Sequence, residues 1–235
     1  MNLFNRLQGI FFNPKVILKA ISEKPIWIDA LIILLIAWTL FNYITTPYLQ
    51  EDQLQIFKNN VKLQERLGEE GFNRMIERVE NPSQTSIILR NLVLNPGGLL
   101  IGFLFSSLII LAIGRMFSTE GNYKQIFSAI LHANFIDKIL GNALRLVLIL
   151  TRKSVMQTTT SLALFFPKLE VTSPTFIILS QVDFFQLWLF GILGYGLSSI
   201  FKIELKKALI LSYTFWVLKS LLYIALGLLG TKFMG

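Results

Sequence analysis

Two aspartates, Asp137 and Asp183, stand in apolar surroundings where a carboxylate calls for a reason. Carboxylates so placed can act as an acid and base pair, hold a metal ion, or relay protons through a membrane. Asp137 has polar company: Asn134, Asp137, Lys138, Gly141, Asn142 and Arg145 recur at a spacing that places all of them on one face of an α-helix. Lys219 is a further cation inside an apolar run. The rest of the chain offers catalysis little support. There is no His-Glu-x-x-His, Gly-x-Ser-x-Gly or phosphate-cradling loop. His132 is the only histidine and there is no cysteine, which excludes a His-based zinc site, thiolate metal sites and disulfides. Gly191, Gly194 and Gly196 fall inside an apolar stretch and read as close helix packing rather than a nucleotide loop. The sequence therefore reads as a non-enzyme with no cofactor and no metal.

The elements that must position these residues are membrane helices. The chain is 53% hydrophobic and 15% charged, with a mean hydropathy of +0.59, against about 25% charged in soluble domains. The net charge of +8 is carried by bases at the ends of apolar runs, a pattern that argues against nucleic-acid binding. The expected fold class is all-α: a polytopic integral membrane protein with a five-transmembrane-helix bundle and N-terminal amphipathic surface helices. The expected spans are 26–48, 96–116, 126–150, 177–201 and 207–230. The third would cover about 37 Å at ~1.5 Å per residue, enough to cross a bilayer. Two domains follow: surface helices over 1–25 and a membrane domain over 26–235, with an extracytoplasmic amphipathic loop over 49–96.

Phe4, Leu7, Phe11 and Ile17 recur at helical spacing, with Lys15 and Lys19 on another side, and read as a pair of helices lying on the membrane. Asn13-Pro14 reads as an N-cap followed by a first-turn proline. Pro96-Gly97-Gly98 punctuates the chain and opens the second span, and Gly98, Gly102 and Ser106 give that span a small-residue face, by default for packing within the monomer. The short segments carrying Arg6, Lys15, Lys19, Lys24, Arg115, Lys124, Lys202, Lys206 and Lys207 favour a cytoplasmic N-terminus and an extracytoplasmic C-terminus. Depth along the expected spans pairs Asp137 with Lys219 near the midplane and Asp183 with Arg145 nearer the outer face, leaving Lys138 over.

Two stretches resemble a known family. The first is Gly9-Ile10-Phe11-Phe12-Asn13-Pro14 followed by Glu23-Lys24-Pro25-Ile26-Trp27. The second is Asp183, Phe184, Phe185 and Trp188, then Gly196, Leu197, Ser198 and Lys202. Together they resemble the bacterial branch of the Yip family, whose eukaryotic members are Rab-GTPase-interacting proteins of secretory membranes. The long cytosolic N-terminal region of those members is absent, which points away from GTPase binding and toward a bacterial cytoplasmic (inner) membrane. The resemblance implies a non-enzymatic scaffold, adaptor or accessory subunit of a membrane complex, including ABC-type export. Its partners would be the lipid bilayer and a membrane protein whose identity the sequence does not give, as it does not give the oligomeric state. The alternative is an ion- or proton-coupled transporter or channel using the intramembrane charges.

Overall fold

The computed structural model describes residues 1–156 and 160–234, the last three by backbone alone. Among the described residues the chain is helical, with no strand beyond an isolated bridge between Ser161 and Asp183. Four helices are long and apolar enough to cross a membrane: Ile28–Lys58, Gln84–Gly114, Phe184–Phe201 and Leu205–Thr231.

Helix α1 (Leu3–Phe12) starts at Asn2, whose side chain accepts from the Asn5 amide at 2.8 Å. Helix α2 (Pro14–Glu23) starts on the proline, whose missing N–H is no loss in a first turn. Helix α3 (Ile28–Lys58) runs straight through Pro47 and beyond the expected end at Tyr48. The Thr45 and Thr46 hydroxyls donate to the Phe41 and Asn42 carbonyls at 2.9 and 2.7 Å in the turn before the proline. Helix α4 (Val61–Glu80) is broken at Gly68, whose φ of 69° lies in the left-handed region glycine favours.

The second span starts earlier than expected. Helix α5 (Gln84–Leu89), a π-helical turn (Arg90–Leu94) and α6 (Asn95–Gly114) run on continuously, with Pro96 inside. The wide turn just before the proline absorbs its clash with the preceding carbonyls, so Pro96 interrupts the helix without ending it. The expected small-residue face is not used for close packing: a Cβ added at Gly98 or Gly102 would meet open space.

The third expected span is divided. It consists of α7 (Tyr123–Ala133), a second π-helical turn (Ile136–Gly141) and α8 (Asn142–Arg152). Neither piece alone has the length of a crossing, although together they still run from Tyr123 to Arg152. A capping box between Asn122 and Gln125 fixes where α7 begins. The fourth span is also later than expected. A short α9 (Pro174–Ser180) comes first, and the long helix α10 (Phe184–Phe201) begins just after Asp183, followed by α11 (Leu205–Met234).

The chain folds into two compact units. The first comprises Met1–Trp38, Pro96–Ala143 and Phe184–Ser220 and holds the hydrophobic core, including Ile10, Leu18, Leu34, Ile110, Leu131 and Phe201. Helix α10 can be approached closely because of its glycines: a Cβ on Gly194 would lie 2.6 Å from Leu209 Cδ2, and one on Gly196 would lie 3.3 Å from Ala129 Cβ. This is the close packing expected of them. The α2–α3 connection is tied down by α7, where Gln125 Nε2 donates to the Ser22 carbonyl and Ser128 Oγ to that of Ile26, each at 2.7 Å.

The same core takes up part of the apolar face expected on lipid. Ile10, Ile17, Leu18 and Ile21 are buried in protein, and Leu7 and Phe11 pack against that core. Their apolar face meets helices α7 and α10, because those helices offer a dry, complementary surface that competes with lipid. What α1 and α2 turn outward is Phe4, Phe12 and Val16, with Lys15 and Lys19 also exposed.

The second unit comprises Thr39–Asn95, Leu144–Asp183 and Leu221–Gly235. Gln50 Nε2 donates to the Val79 carbonyl at 2.6 Å, and Lys58 pairs with Glu80 at 2.6 Å, fastening α4 along α3. Asp52 accepts from the backbone amides of Val155 and Met156 at 2.7 and 2.9 Å, which holds the segment just after α8.

Candidate functional site

The polar residues of the divided third span are gathered at its π-helical turn. Such turns widen the helix by one residue per turn and recur at functional positions. Asp137 is 1% exposed and pairs with the adjacent Lys138 at 2.9 Å. The Lys138 ammonium lies 4.5 Å from the centroid of the Trp38 ring, a cation–π contact that offsets part of its desolvation. Asn134 is held by its own helix, donating from Nδ2 to the Ile130 carbonyl at 2.8 Å, and Asn142 is buried beside the turn.

These contacts add partners that the expected pairings did not include. Lys138 is not left over, since it is the ion-pair partner of Asp137. Lys219 donates to Gln186 Oε1 at 3.0 Å and lies over the Phe190 ring at 5.6 Å. An amide oxygen serves an ammonium well, and the side chain next to Asp137 was close enough to reach it.

The expected pairing of Asp183 with Arg145 is present. Arg145 Nη2 sits 3.1 Å from both Asp183 oxygens. Arg145 Nε donates to Thr160 Oγ1 at 3.0 Å, and the Thr160 hydroxyl in turn donates to Asp183. Asp183 is not inside a span, as depth counting had it, but in the connection before α10. There the Leu162 amide donates to the Val182 carbonyl at 3.0 Å beside the Ser161–Asp183 bridge.

The remaining motif residues shape α10. Phe184 packs edge-on to Phe185 at 5.3 Å, and Trp188 meets Phe11 of α1 at 6.2 Å. Leu197 is fully buried. Ser198 and Lys202 build the helix stop. Lys202 takes a left-handed φ of 52°, the Ile203 amide donates to the Ser198 carbonyl at 3.2 Å, and Ser198 Oγ donates to the Ile203 carbonyl at 2.7 Å. That is a Schellman closure with lysine where glycine is usual. Lys202 also pairs with exposed Glu120 at 3.2 Å.

The structure adds a cluster that sequence reading missed. Arg6, one of the bases that set the expected orientation, is 2% exposed. Its Nη2 donates to Asp29 at the start of α3, and its Nη1 lies 3.2 Å from His132 Nε2 on α7. His132 Nδ1 lies 2.8 Å from the Ser128 carbonyl, which can only accept. Nδ1 therefore carries the ring proton and Nε2 accepts from the guanidinium, so the histidine is neutral in this arrangement. Asp29 sits in the first turn of α3 and His132 in the last turn of α7, so position along the helices gave no signal that joins them.

Chemically, these clusters bind segments of chain to one another. Each joins a charged group on one element to partners on another, and the carboxylates of Asp29, Asp137 and Asp183 each meet a cation. Among the described residues, no group of three or more His, Cys, Asp or Glu side chains is placed to hold a metal ion. No curated protein and no solved structure matches the chain. The Yip1 domain matches residues 9–227. That span takes in the Gly9–Pro14 stretch, the divided third helix and the Asp183–Lys202 motif, and the chain is a multi-pass membrane protein that belongs to the Yip1 domain family.

Proposed function

We propose that this protein is a non-enzymatic membrane scaffold or accessory subunit, holding a partner membrane protein in a bacterial cytoplasmic membrane, with ABC-type export as one setting. The observation that carries this reading is the use made of the buried charges. Arg6 joins α1 to α3 and α7, and Arg145 joins α8 to the connection before α10. Such pairs give a framework its specific shape. A second reading, ion- or proton-coupled transport, is favoured by one feature: Asp137 lies almost fully buried at a π-helical turn.

Purification from native membranes in mild detergent, alongside flux measurements in proteoliposomes, separates the two. The scaffold reading expects a partner at fixed stoichiometry and no proton or cation flux above that of empty vesicles. A flux that Asp137→Asn abolishes would overturn it in favour of transport.

The density of bases in the short N-terminal, 115–124 and 202–207 segments supports a cytoplasmic N-terminus and an extracytoplasmic C-terminus. Gln64 and Glu204 are both exposed, so single cysteines at those positions report the orientation. In intact cells an impermeant maleimide is expected to label position 64 and not 204. The reverse pattern would invert the topology.

A further inference from the structure

A cavity of about 390 Å³ lies within the second unit, walled by Ile56 and Phe57 of α3, Val171, Phe176 and Ile177 around α9, and the end of α11. Its volume falls inside the ~300–1,000 Å³ range of small-molecule sites. It lies toward the ends of α3 and α11: at about 1.5 Å per residue, Ile56 is about 42 Å along α3 and Gly227 about 33 Å along α11. An apolar cavity is costly to leave filled with water.

The lining defines what fits. No lining residue carries a charge. The polar groups are the Gln53 amide and the Thr172 and Thr231 hydroxyls, and Thr231 Oγ1 already donates to the Leu228 carbonyl at 2.9 Å, so it is left to accept. Met156 adds an unbranched, adaptable wall. Gly227 lets α11 come close to α9, since a Cβ there would lie 2.9 Å from Ile177 Cγ2. We infer that this cavity binds a linear alkyl chain, its charged head remaining at the mouth among neutral hydrogen-bonding groups. The chain belongs either to a free fatty acid or to a phospholipid whose tail is drawn out of the bilayer.

The test is photolabelling of the full-length purified protein, with palmitic acid carrying a diazirine in its chain in one arm and phosphatidylglycerol carrying the same group in the other. Label is expected on the peptides holding residues 53–57 and 171–177, and excess unlabelled ligand of the same kind should remove it. Ile56→Trp, which fills the cavity, is expected to abolish that label, while Leu222→Trp on the exposed side of α11 leaves it intact. Labelling by the acid identifies a fatty-acid site, and labelling by the phospholipid alone identifies a lipid tail. Non-saturable label spread along α3 and α11, indifferent to competitor and to Ile56→Trp, would overturn the inference. Should Ile56→Trp fail to fold, competition alone decides it.

Discussion

Replacing Arg6 with methionine is expected to destabilise the folded protein by about 3 kcal/mol, at the low end of the ~3–5 kcal/mol for breaking a buried ion pair. The low end applies because Asp29 keeps 38% of its side chain exposed and water recovers part of its solvation. The larger share comes from His132, which is fully buried and whose Nε2 loses its donor. Thermal unfolding in one detergent measures the loss. Limited trypsin digestion adds a local readout, because Lys15 and Lys19 are exposed on a helix whose packing depends on α1 staying in place. Cleavage there should accelerate in Arg6→Met and less so in Asp29→Asn. An unchanged melting temperature together with unchanged protection would mean that the guanidinium contributes nothing net.

The second large effect is expected at Arg145 and Asp183. Arg145→Met strands a carboxylate that is 12% exposed and keeps the Thr160 hydroxyl as a donor. Asp183→Leu strands the guanidinium. Each single substitution is expected to cost about 3–5 kcal/mol, while the double variant costs much less than the sum, since apolar side chains replace both charges together. The cycle requires all four proteins in the same detergent and lipid. Strict additivity would show that the pair, although in contact, carries no coupling energy.

This pairing was legible in the sequence, while the others were not, for physical reasons. Arg145 and Asp183 are long-range partners of opposite sign on stiff elements near one membrane face, so rise per residue was enough to match them. It succeeded even though Asp183 proved to lie in a connection, because an error of one turn is within reach of an arginine. The contacts of Asp137 with Lys138 and of Lys219 with Gln186 were not legible, because periodicity cannot rank an adjacent side chain or a neutral amide as a partner. Proline misled one boundary: Pro96 reads as a break, yet a π-helical turn carries the helix past it. Arg6 was hidden by its neighbours. On a short amphipathic helix, a cation beside asparagine and glutamine looks solvated, and only the position of α7 reveals otherwise. The close approach of helices to Gly194 and Gly196 was readable, because a small residue in an apolar run has few other uses.

The contact between Arg6 and His132 also sets an order of events. The two residues are 126 positions apart, so Arg6 leaves the ribosome well before its site can exist. At about 5–20 residues per second the wait is roughly 6–25 s. Through that interval α1 and α2 carry a bare apolar face and an unhoused guanidinium, beside a first span already able to enter the bilayer. A membrane surface with anionic headgroups suits such a pair of helices. The amphipathic pattern that reads as a resting place on lipid then describes the nascent chain, and the buried face describes the finished one: what the membrane shelters first, α7 and α10 later claim.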